Sequence, residues 1–221
     1  MNSFDIIGPV MVGPSSSHTA GAVRIGLIAR VLTEGQPVRA AIGLHGSFAR
    51  TWRGHGTDKA IVAGLLGFHP DDERIRVSLQ LAREAGLTVT FRQIDLPGAH
   101  PNTAVIELEG EDGQTTVVRG ASTGGGRIVI ESVNNLDVSF SSDYPTLVIS
   151  HHDTPGIVSA VTRQLSDRQI NIANMKVFRS YRGGSAVMVI ETDQPIEKSL
   201  CGVISAMHGI HSAALILPVV D

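Results

Sequence analysis

The sequence predicts two domains of mixed structure, α/β in the α+β sense: a mixed, largely antiparallel sheet with helices, followed by a βαββαβ unit. Three observations predict this. The first part alternates helix-period apolar runs with strand-like segments and contains Asp112-Gly113, a hairpin signal. The last third reads strand, helix, strand, strand, helix, strand. Between them SSDYP, residues 141–145, is a polar stretch with a proline and reads as the linker, giving domains 1–141 and 146–221. A chain of 221 residues suits two modest cores.

The N-terminal elements follow in order. AGAVRIGLIARVL is apolar on nearly every face except Arg24 and Arg30, as a buried helix would be. VRAAIGLHG alternates, with Val38, Ala40, Ile42 and Leu44 on one face and His45 on the other. Residues 58–67 read as helical. Residues 72–85 are a better-defined helix, with acidic residues at the start, Ile75, Leu79 and Ala82 on one face, and Gly86 as stop. LTVTFRQID alternates again, TAVIELEG and TTVVRGA bracket the hairpin turn, and short strands fill residues 127–140.

In the C-terminal part TLVIS is a short β-branched strand. Ile157, Val158, Val161 and Leu165 make a helical stripe after Thr154-Pro155-Gly156. NIANMKVFR and SAVMVIETD flank Gly183-Gly184, a dipeptide suited to a hairpin. Ile196, Leu200, Val203, Ile204 and Met207 mark a second helix, and SAALILP closes a split βαβ arrangement.

Composition narrows the function classes. Hydrophobic residues at 42% and charged residues at 18% are those of a globular protein. A net charge of −3 from 18 basic and 21 acidic residues gives no electrostatic reason to expect nucleic acid or an anionic membrane. No uninterrupted apolar run approaches the ~18–20 residues that span a bilayer. The start, MNSFDIIGPVMVG, lacks a basic region before an apolar run, so a cytoplasmic protein is expected. Cys201 is the single cysteine, which excludes a disulfide framework or a cysteine-rich metal site within this chain and reads as a buried thiol on an amphipathic helix.

Four polar or glycine-rich clusters interrupt the scaffold. GPSSSHTAG, residues 13–21, places three serines, His18 and Thr19 directly before a helix. Such a cluster either caps the helix generously or binds a carboxylate or phosphate at its positive end. RGHGTDKA sets His55 between two glycines, with Thr57 and Asp58 placed to orient it or to cap the next helix. Its imidazole titrates near neutrality and can take a proton from carbon, though a lone His-Gly in a loop is more often without a function. AHPNTA is the third. GASTGGGRI is the fourth, either an anion-binding nest or a wide turn between strands, and it matches neither the nucleotide P-loop nor the dinucleotide glycine pattern.

HHDTPGIVSAVTRQLSDRQINIANMKVFR, with its Asp-x-Pro-Gly loop and Asn-Ile-x-x-Met strand start, resembles an ACT domain. Members of that family are mostly amino-acid-sensing modules that pair side by side, with effectors near that loop and the following strand. The matching positions are His151, Asp153, Gly156, Asn171 and Ile172. The alternative is an ACT-like fold used only for dimerisation.

Taken together, FDIIGPVMVGPSSSHTAGAVRIG, GSFARTWRGHGTDKAIVAGLLGF, HPNTA and GGGRI resemble, in order and spacing, the β subunit of two-subunit, iron–sulfur-dependent bacterial L-serine dehydratases. The resemblance implies a carbon–nitrogen lyase of amino-acid catabolism and gluconeogenesis, converting L-serine to pyruvate and ammonia by β-elimination of water. It also implies a [4Fe–4S] cluster acting as Lewis acid. With one cysteine here, the cluster's ligands are expected on a separate α subunit, and no metal ligand on this chain. In that setting His55 is the leading general base and His18 the second. Ser15, Ser16, Ser17 and Thr19 are expected to hold substrate polar groups, with Asn102 and Gly124, Gly125 and Gly126 as carboxylate donors. Expected partners are the α subunit, L-serine and a second copy through the ACT domain.

The N-terminal segment also resembles the substrate-binding regulatory domain beside ACT domains in some phosphoglycerate dehydrogenases. That gives the alternative of a non-catalytic regulatory subunit sensing serine or another small anion. An enzyme acting alone with a His-ligated metal is a weak third reading, since nine histidines are scattered and His151-His152 is adjacent rather than at i, i+4.

Overall fold

The computed structural model describes residues 10–33 and 35–218. The chain divides into two compact units, one ending at Asn135 and the other beginning at Leu136. The fold is the expected two-part α+β arrangement. The resemblance quoted for residues 4–9 lies outside the described residues.

A π-helical turn at Ser16–Ala20 runs into α1 (Gly21–Leu32), followed by β1 (Pro37–Leu44), α2 (Gly46–His55) and α3 (Thr57–Leu65). A 3-10 turn at Glu73–Val77 leads to α4 (Ser78–Glu84) and β2 (Thr88–Gln93). Then come β3 (Thr103–Gly110), β4 (Thr115–Gly124), β5 (Arg127–Val133) and β6 (Leu136–Phe140). The sheet order is β2-β1-β3-β4-β5-β6, with β1 parallel to β2 and antiparallel to β3.

The apolar alternation read in β1 is its burial pattern, since Ala40, Ile42 and Leu44 are buried. α1 is buried nearly all round, as its composition demands: Ala22, Val23, Ile25, Ile28 and Ala29 are all inside. It meets α3 where two glycines face each other. A Cβ on Gly26 would stand 2.3 Å from the Ile61 carbonyl oxygen, and one on Gly64 would stand 2.2 Å from that of Val23. The helices therefore touch backbone to backbone.

Two elements differ from the sequence reading. The stretch around His55 is not a glycine loop. α2 carries Gly54 inside it and His55 as its last residue, and Gly56 closes it in the left-handed conformation (φ 70°), its N–H donating to the Trp52 carbonyl. The helix expected over residues 72–85 enters instead as a 3-10 turn. Val77 breaks it at φ −116°, ψ 12°, and the hydroxyl of Ser78 donates to the Lys59 carbonyl at 2.7 Å.

After β6, with which it begins, the second unit contains β7 (Thr146–His152), α5 (Ile157–Ser166), β8 (Ile172–Arg179), β9 (Ser185–Thr192), α6 (Ser199–Ser205) and β10 (Ile210–Ile216). The antiparallel order β10-β7-β9-β8 is that of a ferredoxin-like sheet. Leu147, Ile149, Met188 and Ile190 from the sheet meet Val161, Leu165, Leu200 and Ile204 from the two helices. Val158 and Val203 fall beside those stripes and are exposed. Cys201 is half-buried against the same core, and burial pushes its thiol pKa up. Of Gly183-Gly184 only Gly183 has positive φ, 79°.

Candidate active site

The Ser16–Ala20 turn starts from Ser15, whose Oγ accepts the His18 N–H at 3.3 Å and whose carbonyl accepts the Thr19 N–H at 2.8 Å. This tight turn drives the His18 ring inward, and the residue is 8% exposed. Its Nδ1 lies 3.1 Å from Ser17 Oγ and 3.4 Å from Ser15 Oγ, and those two hydroxyls are 3.2 Å apart. Its Nε2 lies 3.2 Å from Ser47 Oγ.

α2 supplies the opposing wall. Residues 48 and 55 stand two turns apart and share one helix face. The Phe48 ring stands edge-on to the His18 ring with centroids 5.2 Å apart, and the His55 ring faces it at 4.9 Å. His55 is exposed, at the end of the helix. Burial, and after it the facing His55, holds the His18 pKa below its ordinary value. His18 is therefore a neutral imidazole near neutral pH, with an exposed imidazole alongside.

The AHPNTA loop adjoins this wall. The Ser47 N–H donates to the Pro101 carbonyl at 2.7 Å, and His45 N–H to that of Thr103 at 3.0 Å. Asn102 bridges to β4: its carbonyl accepts the Ser122 N–H at 3.0 Å, and its Nδ2 donates to the Ser122 carbonyl at 3.4 Å. His100 Nδ1 accepts the Asn102 N–H at 3.1 Å, so its proton sits on Nε2.

The structure thus brings His18, His55, Ser15 and Ser17 together, with Asn102 one residue beyond the loop position that anchors Ser47. Ser16 is half-buried within the turn. Thr19 is buried, its hydroxyl against Gly13 and without a hydrogen-bond partner among the described residues. Gly124, Gly125 and Gly126 all have positive φ and form the β4–β5 hairpin turn, where the Gly126 carbonyl accepts from buried Arg24 at 3.0 Å. Ser122 Oγ is buried beneath Gly21, where a Cβ would stand 2.1 Å away. Sequence reasoning did not single out Ser47, Phe48, His100 or Ser122. Ser47 and Phe48 stand within the quoted GSFARTWRGHG motif and His100 within HPNTA, so their place in those motifs was the available signal.

In the second unit Asp153 Oδ2 accepts the Gly183 N–H at 3.1 Å and Arg179 Nη1 at 3.0 Å, which together lower its pKa. Gly156 has φ 93° ahead of α5. His151 is buried, its Nδ1 2.7 Å from the His152 carbonyl oxygen. Asn171 Nδ2 donates to Asp193 Oδ2 at 2.6 Å. Asn171 and Ile172 line an open groove with Thr162, Arg163 and Asp167. By strand register, Asp153 follows the β7 end paired with Ser185, and Ile172 lies at the opposite end, paired with Thr192. One chain does not bring these two pairs of residues together.

Residues 3–85 match a family model described as the serine dehydratase beta chain, and residues 146–200 match the ACT domain. A probable L-serine dehydratase beta chain of Bacillus subtilis (strain 168) is 44% identical over 207 residues, 94% of each chain. The L-serine dehydratase beta chain of Peptoniphilus asaccharolyticus is 38% identical over 200 residues, 90% of each chain. A D-3-phosphoglycerate dehydrogenase of Bacillus subtilis (strain 168) is 29% identical over 162 residues, covering 72% of this chain and 30% of that one. Two beta chains aligned over nearly their whole length decide the matter: the chain belongs to the serine dehydratase beta-chain family and carries an ACT domain.

Proposed function

We propose that this chain supplies the proton-handling side of an L-serine ammonia-lyase site, completed by a separate α subunit. The observation that carries this reading is the pairing of exposed His55 with buried, neutral His18 at 4.9 Å. In the elimination a base takes the Cα proton of L-serine, that electron pair becomes the Cα–Cβ double bond, and the C–O pair leaves with the β-hydroxyl as hydroxide. The hydroxide takes up one proton, equal to the one lost from Cα, to become water. The aminoacrylate tautomerises to an imine, which water hydrolyses to pyruvate and ammonia. The His55 side chain is exposed at the end of α2, and it is the base in this reading. His18 comes second, holding a neutral ring beside it. Ser15, Ser16, Ser17, Thr19, Asn102 and Gly124 to Gly126 are proposed as the substrate-facing shell.

A [4Fe–4S] cluster needs thiolates that this chain does not have. Cys201 is alone, sits in α6 and packs on the ACT core. No group of three or more His, Cys, Asp or Glu side chains is placed to hold a metal among the described residues. The cluster and its ligands are therefore assigned to the α subunit, and no residue here is given a role on it.

The ACT unit is proposed to join two copies through β8, an edge strand with Met175 and Val177 exposed. An effector touching Asp153 and Gly156 as well as Asn171 and Ile172 would need that second copy. No described helix is long and apolar enough to cross a membrane, and the proposed amino-acid catabolism places the complex in the cytoplasm.

The test is a reconstituted α/β complex carrying His55→Ala. Pyruvate formation from L-serine is expected to fall by about 10²-fold or more, and a parental rate would eliminate the base assignment. The similarity to a D-3-phosphoglycerate dehydrogenase favours a second reading, regulation alone. It requires that the α subunit keep basal turnover without this chain and that His55→Ala change only an effector response.

A further inference from the structure

Ser47 has no role in the reading above, yet it is the partner of His18 on the side facing away from the serine turn. Its backbone is fixed from both ends. Gly46 has φ +57°, and a Cβ there would stand 2.6 Å from the Pro101 carbonyl oxygen. The Ser47 N–H donates to that same oxygen at 2.7 Å, and its carbonyl accepts the Thr51 hydroxyl at 2.9 Å. The Ser47 hydroxyl is held by this frame 3.2 Å from His18 Nε2, while Ser17 Oγ stands 3.1 Å from Nδ1.

A neutral imidazole has one donor nitrogen and one acceptor nitrogen, and a hydroxyl can play either part. With a hydroxyl at each end, the ring keeps two partners in either tautomer. A carboxylate or a backbone carbonyl at one end would fix one tautomer. The Phe48 and His55 rings pack against the His18 ring with centroids 5.2 and 4.9 Å away, so α2 as well as the turn constrains the imidazole.

We propose that Ser47 is a positioning residue for the elimination: its hydroxyl holds His18 Nε2 opposite Ser17 and keeps the ring in place beside His55 in both neutral tautomers. The assignment rests on the catalytic reading of His18 and His55. The imidazole that faces His18 in this arrangement is that of His55, 4.9 Å away.

The experiment uses Ser47→Ala and Ser47→Thr in the complex with the α subunit. Alanine keeps the N–H that binds Pro101 and suits a helical first turn, so the fold is retained. Ser47→Ala is expected to lower kcat on L-serine about tenfold or more, with KM within about twofold, as loss of a positioning contact does. Ser47→Thr, which keeps the hydroxyl, is expected to recover most of it. Independently of turnover, the ring ¹⁵N signals of His18 in the full-length chain are expected to move on Ser47→Ala from tautomer-averaged positions towards one tautomer.

Parental kcat in Ser47→Ala, unmoved ring signals, or failure of the threonine variant to recover activity each overturns the proposal. His18→Ala and His55→Ala complexes are measured alongside. Should both keep parental turnover, the catalytic reading falls and the ring signals alone decide whether Ser47 holds His18. Should both lose turnover while Ser47→Ala does not, only the Ser47 assignment falls.

Discussion

His18 is placed where a positive charge is disfavoured twice, by loss of hydration and by the second imidazole 4.9 Å away. The direction of its pKa shift fixes the sign of a stability effect. The unfolded chain takes up this proton near the ordinary value of 6.5, and the folded chain does so only at lower pH. The unfolded state therefore binds more protons between those two values, and stability rises with pH there. This contribution is present in full above the unfolded value, and is lost as pH falls from about 6.5 towards the folded pKa. Urea midpoints measured downward from pH 8 are expected to show that loss in the parent chain and a shallower loss in His18→Asn. An identical fall in both would count against a buried neutral His18. At this scale the sequence named His18, His55 and the serines from their residue types. Their pairing was not legible, because it depends on how α2 lies against the turn, and Ser47 by itself is only a serine after a glycine.

The helices and strands test a different kind of constraint, backbone proximity. Gly26 and Gly64 let α1 and α3 meet so closely that the atoms in the way of a Cβ are carbonyl oxygens and main-chain atoms, which have no rotamer to yield. Helix propensity alone would make Gly→Ala stabilising by ~1 kcal/mol at either site. Overpacking against fixed backbone costs about 1–3 kcal/mol and wins. Gly26→Ala and Gly64→Ala are each expected to lower the denaturant midpoint, and a rise in either would mean that the helices separate at no cost. The elements themselves were largely legible. Asp112-Gly113 marked a hairpin, with Gly113 at φ 75°, and the all-round apolar α1 was read as buried. α2 was missed because Gly46 opens it, Gly54 lies near its end and Gly56 follows it, leaving the short stripe of Phe48, Ala49 and Trp52 as its helical signal. The second helix of the ACT unit was expected from Ile196 to Met207 but is Ser199–Ser205, and Val203 was counted on its inner stripe. It lies between Leu200 and Ile204 in sequence and turns outward, 43% exposed.

For the whole molecule, the lone cysteine links composition to assembly. Cys201 is half-buried, its thiol pKa is raised by burial, and it packs beside Leu200 and Ile204 on the ACT core. A raised pKa leaves little thiolate near neutral pH, the opposite of what a metal ligand or nucleophile requires. Its role is that of a small apolar side chain. Replacing it with alanine removes one partly buried sulfur, at a cost of about 1 kcal/mol or less. Cys201→Ala is therefore expected to give a small fall in melting temperature, with iron content, the visible absorption of the proposed cluster and kcat on L-serine all parental in the complex reconstituted with the proposed α subunit. On the proposed reading, the parent chain purified without the α subunit is expected to form no pyruvate, because residues that handle a proton cannot by themselves make hydroxide a good leaving group. Loss of iron in Cys201→Ala would place a cluster ligand on this chain and undo the proposed division of labour between the subunits.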